Sequence, residues 1–99
     1  MARFDVYRDP EGAGYLLNIQ TDLLSHLNTR AVVPLLLLNE APKPARRLNP
    51  AFEIGGESVI MVTQFIAAAP TSDLQVAITS LAHRSSEIAD ALDMLITGF

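Results

Sequence analysis

Ser85-Ser86-Glu87-Ile88-Ala89-Asp90-Ala91-Leu92-Asp93-Met94-Leu95-Ile96-Thr97-Gly98-Phe99 is the stretch in which the hydrophobic period of the chain changes. Ile88, Leu92, Leu95 and Phe99 recur at i, i+4, i+7 and i+11, the spacing of one helix face. Ser85 suits an N-cap, and Glu87 falls in the first turn, where the helix dipole favours a negative charge. Asp90 and Asp93 lie off the apolar face, and Gly98 suits a left-handed C-cap. The residues before Ser85 alternate with a period of two instead. Strands followed by one terminal helix predict an α+β, mostly β domain, or a small barrel with a helix attached.

Working outward from the helix, Phe4 and Val6 alternate with Arg3, Asp5 and Tyr7, which is strand periodicity. Asp9-Pro10-Glu11-Gly12-Ala13-Gly14 supplies a turn, with two glycines for positive φ. Tyr15, Leu17 and Ile19 then form a second strand in hairpin with the first. Thr29 to Leu36 is apolar and β-branched, and Pro34 within it implies an edge or a bulge. Phe52-Glu53-Ile54, Gly55-Gly56 and Glu57 to Ile66 read as a second hairpin. Leu74 to Ile78 reads as a short strand. Ala41 to Pro50 is the one compositionally distinct loop, with Pro42, Pro44, Pro50, Lys43, Arg46 and Arg47.

Ninety-nine residues predict one domain, residues 1–99. A hydrophobic fraction of 49% supplies a core and argues against disorder. The absence of cysteine excludes disulfides, thiolate metal sites and a cysteine nucleophile, and fits a reducing compartment. Met1 to Asp5 carries no apolar h-region, and the apolar runs Ala31–Leu38 and Val59–Ala69 fall short of the ~20 residues that span a bilayer. A soluble protein of the cytoplasm is the expectation. The net charge is −4. Ser85 to Phe99 carries three carboxylates and no Lys or Arg, leaving seven cations against eight carboxylates elsewhere. Such a balance disfavours direct nucleic-acid binding and suggests that the acidic segment steers toward a basic protein surface.

Chemistry-bearing motifs are sparse. Gly12-Ala13-Gly14 begins like a dinucleotide fingerprint, but Leu17 stands at the third glycine and a strand follows where a helix should open. His83 and Glu87 are four apart without a spaced third ligand, so no metal is expected. Ser25-His26, Ser58 and Thr63 offer hydroxyls without a nucleophile elbow. Two histidines and seven cations would allow phosphodiester cleavage, although net acidity argues against an RNA groove. No cofactor is expected, and phosphodiester cleavage stays the enzymatic alternative at this point. The apolar end Leu95-Ile96-Thr97-Gly98-Phe99 either packs on its own sheet or presents its tip to a partner.

Taken together these segments resemble the CcdB family of bacterial toxins, which poison DNA gyrase in toxin–antitoxin modules. The most specific stretch is Gln20-Thr21-Asp22-Leu23-Leu24 continuing through Thr29-Arg30-Ala31-Val32-Val33-Pro34-Leu35. Phe4-Asp5-Val6-Tyr7, Ile54-Gly55-Gly56-Glu57-Ser58 and Leu81-Ala82-His83-Arg84 match further family segments. The resemblance implies an SH3-type barrel with a five-stranded antiparallel sheet, a small extra sheet and a C-terminal helix. It also implies a homodimer with the two helices side by side, whose tips enter the gyrase A subunit and hold the enzyme with its DNA cut.

Carried over by position, the gyrase-facing residues are Leu23, Asp93, Ile96, Thr97, Gly98 and Phe99. The best-known members end in Trp-Gly-Ile, so Thr97 removes a stacked or cation–π contact worth about 0.5–2 kcal/mol. The resemblance also implies a CcdA-type antitoxin, with Arg8, Gly12, Gly14, Lys43, Arg46 and Arg47 as contacts. The antitoxin supplies the DNA-binding part when the pair represses its operon, so DNA is met only indirectly, and no membrane is involved. The alternatives are an endoribonuclease toxin of the MazF/Kid type, which shares the barrel, and a homologue that folds but no longer poisons.

Overall fold

The hydrophobic alternation builds seven strands and one helix in a computed structural model that describes residues 2–98. Strands β1 (Asp5–Arg8) and β2 (Tyr15–Asn18) form the first hairpin, with Val6 opposite Leu17 and Arg8 opposite Tyr15. Asp9 shapes the turn: its N–H donates to the Gly14 carbonyl and its carboxylate accepts from the Glu11 N–H. The glycines serve the turn differently from the expectation. Neither Gly12 nor Gly14 has a positive φ, but a Cβ on Gly14 would lie 2.4 Å from the Leu35 carbonyl oxygen. Gly14 is required by close backbone approach rather than by handedness.

Strand β3 (Thr29–Leu37) is the hub of the sheet. One edge pairs with β2; the other pairs first with β6 (Ala67–Pro70) and then with β5 (Glu57–Met61), itself in hairpin with β4 (Ala51–Ile54). Ile19 donates to the Ala31 carbonyl, so odd-numbered β3 residues bond to β2 and even-numbered ones face the opposite edge. The Pro34 nitrogen therefore falls between the β6 and β5 ladders, where no ladder donor is needed. Gly55 and Gly56, at φ 57° and 86°, make the primed turn between β4 and β5.

Two expected strands are shorter or displaced. The run expected to reach Ile66 ends at Met61, because the chain enters a 3-10 turn at Thr63–Phe65 and returns as β6. The Thr63 hydroxyl fixes that turn by donating to the Leu48 carbonyl. Residues 74–78 are not a strand, since Leu74 is drawn into a small apolar cluster; only β7 (Thr79–Ser80) pairs there, with β1.

Along the main path the strands run β4-β5-β3-β2-β1-β7, with β6 added on β3. They make a nearly closed antiparallel barrel sheet, mostly β, capped by α1 (Ser85–Thr97), as an SH3-like α+β fold requires. Ser85 is the first helical residue and not the cap. A 3-10 turn over Ala82–Arg84 feeds the helix, and Arg84 pairs with Glu87.

Period-two burial sorts the side chains into two layers. Val6, Leu17, Val33, Leu35, Met61 and Ile88 fill the barrel, and Leu92 packs against them from the helix. Tyr7, Val32, Ala69 and Leu74 form a smaller cluster on the outer face with Leu16. Ile88 and Ala91 are the helix residues that dock fully. Ile88→Ala should destabilise by about 2–4 kcal/mol in urea unfolding, the usual cost of a cavity at a filled site; a loss under about 1 kcal/mol would show that the helix is not held by this side chain.

Candidate functional site

The last turn of α1 ends the helix cleanly. Gly98 takes φ 80°, and its N–H donates to the carbonyls of Asp93 and Met94 at 3.2 Å each, a left-handed cap that satisfies end groups. The Thr97 hydroxyl donates to the Asp93 carbonyl at 2.7 Å. Asp93, Ile96, Thr97 and Gly98 are all exposed, Ile96 at 73%, so the tip is not folded back into its own core. Leu95 is half-buried. Phe99 lies outside the described residues.

Leu23 stands elsewhere, on the 3-10 turn Asp22–Leu24, and is 86% exposed. An unsupported turn would collapse such a side chain onto the surface, but this one is braced. The Thr21 hydroxyl oxygen accepts from the Leu23 N–H, and Asp22 accepts from the Arg3 N–H. Gln20 donates to the carbonyls of Leu24 and Thr29 and accepts from Ala31. Arg30 is buried and donates to the carbonyls of Ser25, Leu27 and Thr29. Among the described residues no hydrogen bond joins this turn to the end of α1.

The loop between β3 and β4 is likewise held. Asn49 donates to the Met61 carbonyl and to Gln64, and accepts from the Ala45 N–H. Arg47 forms a bidentate pair with Asp90 of α1 at 2.9 and 2.8 Å. Arg8 lies over the Tyr15 ring at 5.6 Å, and Gly12 and Gly14 sit in the hairpin turn. Lys43 and Arg46 are exposed and make no ion pair among the described residues.

The model of the family described as CcdB protein matches residues 3–98, nearly the whole chain. The chain belongs to the CcdB family. Membership supports a toxin of a toxin–antitoxin module.

The geometry of this CcdB-family chain corrects the charge reading of its helix. Two of the three helix carboxylates are neutralised across space, Glu87 by Arg84 and Asp90 by Arg47. Among the described residues Asp93 is the helix carboxylate without an ion pair, near the tip. The candidate cation cluster is split for the same reason: Arg47 is spent on the helix, while Lys43 and Arg46 remain open to solvent. Among the described residues no group of three His, Asp or Glu side chains is placed to hold a metal ion, and no helix is long and apolar enough to cross a membrane.

Hydrogen bonding from Arg47 holds the Asp90 carboxyl below its ordinary range, and Arg84 does the same for Glu87. A depressed carboxylate contributes stability above its unfolded value, near pH 4, and loses it as pH falls through the folded one. The protection of amides in residues 43–48, taken relative to their intrinsic exchange rates, should therefore fall as the pH drops below about 4. In Asp90→Asn the protection should already be low at pH 7 and fall less; equal profiles in both proteins would show that Asp90 does not hold the loop.

The braces Arg3, Gln20 and Arg30 were not singled out as site residues from sequence. Gln20 and Arg30 were legible only as family-pattern positions, and Arg3 carried no signal, because its bonds reach Ile19 and Asp22 across the fold.

Proposed function

We propose that this CcdB-family chain is a gyrase poison. It acts as a homodimer whose paired helix ends enter the opened gyrase A subunit and hold the enzyme with its DNA cut. No bond is made or broken by the toxin: a protein that fits only one conformer of its target shifts the population toward that conformer. The observation that carries the reading is the exposed, glycine-capped end of α1, where Ile96, Thr97 and Gly98 meet solvent on a helix anchored one turn earlier by Leu92. Phe99 would extend that tip, and Asp93 and Leu23 would flank it in the paired molecule.

A CcdA-type antitoxin would neutralise the toxin by wrapping Arg8, Gly12, Gly14, Lys43, Arg46 and Arg47, with Arg47 engaging only if its pair with Asp90 opens. A tail that folds on binding covers a large surface and can be removed by proteolysis. The antitoxin would carry the operator contacts, since the toxin's own charge is −4, and both would work in the bacterial cytoplasm.

The test is incubation of purified protein with gyrase, ATP and supercoiled plasmid, followed by detergent and protease. Linear DNA is expected, and it should vanish when residues 97–99 are deleted. Intact plasmid together with fragmented RNA in a parallel tube would replace this reading with an endoribonuclease; intact DNA and intact RNA would leave a homologue that folds without poisoning.

A further inference from the structure

The outer face of the sheet carries a groove of about 320 Å³ that the helix tip and the basic loop do not line and that meets the proposed antitoxin surface only at the β1–β2 turn. Its floor is apolar, formed by Leu16 and Val32 with the small residues of β6. Its rim is acidic: Asp9 and Glu11 stand on one side, on the β1–β2 turn, and Asp73 on the other. No Lys or Arg lines the groove, and none of the three carboxylates forms an ion pair among the described residues. Arg8, the nearest cation in sequence, lies over the Tyr15 ring instead.

One boundary of the groove is an open strand edge. Even-numbered β3 residues face β6, so Ala67 and Ala69 spend their backbone groups on Val32 and Arg30. The N–H and C=O of Ala68 and the C=O of Pro70 then point outward, and among the described residues β6 pairs with no other strand. Pro70 has no N–H to offer, which shortens the usable edge to a single residue pair and keeps a long strand from adding there.

We infer that this groove docks a short, extended, basic segment of a protein partner, with an apolar side chain on the Leu16–Val32 floor and Lys or Arg side chains against Asp9, Glu11 and Asp73. Charge complementarity selects the occupant. A polyanion is repelled by the rim, and among the described residues the carboxylates do not converge as a metal ion would require. A second copy of this chain brings a net charge of −4 to an acidic rim. An extended peptide matches what remains, because it can satisfy Ala68 by strand addition while its alternate side chains fill the groove.

The experiment is an anisotropy titration of the full chain with a labelled Lys-Val-Arg-Val-Lys peptide, with Glu-Val-Glu-Val-Glu as the control. Saturable binding of the basic peptide alone is expected. It should weaken about ten-fold in Asp9→Asn/Glu11→Gln/Asp73→Asn, as for the loss of several exposed pairs, and fall with added salt. Asn at position 9 keeps the oxygen that accepts from Glu11, so the turn survives. Ala68→Pro, which removes an outward donor and leaves the β3 ladder intact, should weaken binding without altering the unfolding midpoint. Amide shifts on titration should centre on Leu16, Val32 and Ala68. The inference is overturned by equal affinity for both peptides, by undiminished binding to the triple variant, by shifts centred on the helix tip, or by self-association that the triple variant abolishes. None of these results bears on the plasmid assay, so the groove and the gyrase reading fail separately.

Discussion

Replacing Ile96 with glutamate is expected to abolish gyrase-dependent linearisation of plasmid while leaving the urea midpoint of the protein in place. Ile96 is 73% exposed and takes no part in the barrel core, so stability should change by no more than about 0.5 kcal/mol. A charge at the tip faces a different cost once it is pushed into a partner's cavity, where an unpaired ion is dehydrated without compensation. Breaking or leaving unpaired a buried charge costs about 3–5 kcal/mol, which corresponds to a loss of about two to nearly four orders of magnitude in affinity. Ile96→Val, which keeps the apolar surface, should retain most of the activity. A glutamate variant that still linearises plasmid at wild-type concentrations would remove the helix tip from the mechanism.

A large loss of stability is expected far from that tip, at Gly14. Alanine there brings its Cβ to 2.4 Å from the Leu35 carbonyl oxygen, against an atom of the central strand that has no rotamer by which to withdraw. Relief requires β2 and β3 to separate locally, which strains the ladder that both share. Forced overpacking of this kind costs about 1–3 kcal/mol and more when backbone must move, so Gly14→Ala should lose at least about 2 kcal/mol. Gly12→Ala is the matched control: its Cβ meets only the Asp9 side chain, at 3.4 Å, and should change stability by less than about 1 kcal/mol. Equal midpoints for the two variants in guanidinium unfolding would refute the close-approach account.

That contrast also marks where sequence reading stops. The helix from Ser85, its buried face and the role of Gly98 were legible because each depends on neighbours within two turns. Gly55-Gly56 was legible for the same reason, as the turn dictates its own φ values. Gly14 was noticed for a property it does not use, since the atom that forbids a side chain belongs to β3. The pairing of Arg47 with Asp90, 43 residues apart, offsets one of the three helix carboxylates, which composition alone does not reveal. Ser85 was misplaced by one step, because Arg84 and Glu87 close the first turn in place of a hydroxyl cap. Leu23 and Ile96 are candidates through family pattern alone, and the bonds that hold the Leu23 turn are invisible to periodicity. Arg30, between Thr29 and Ala31 on β3, offers no hint in sequence that its guanidinium collects three carbonyls.

Strands β2 and β3 are hydrogen-bonded along both edges, and their inner face is filled by the barrel core. Local opening is most costly where a ladder is flanked on both sides, and least costly at edges such as β6 and β7. The amides of Leu17, Val33 and Leu35 should accordingly be the last to acquire deuterium, surviving until the whole chain unravels. The tip of α1 and the β6 margin lie at the opposite extreme, so a visitor can reshape either one while that slow centre keeps its protons.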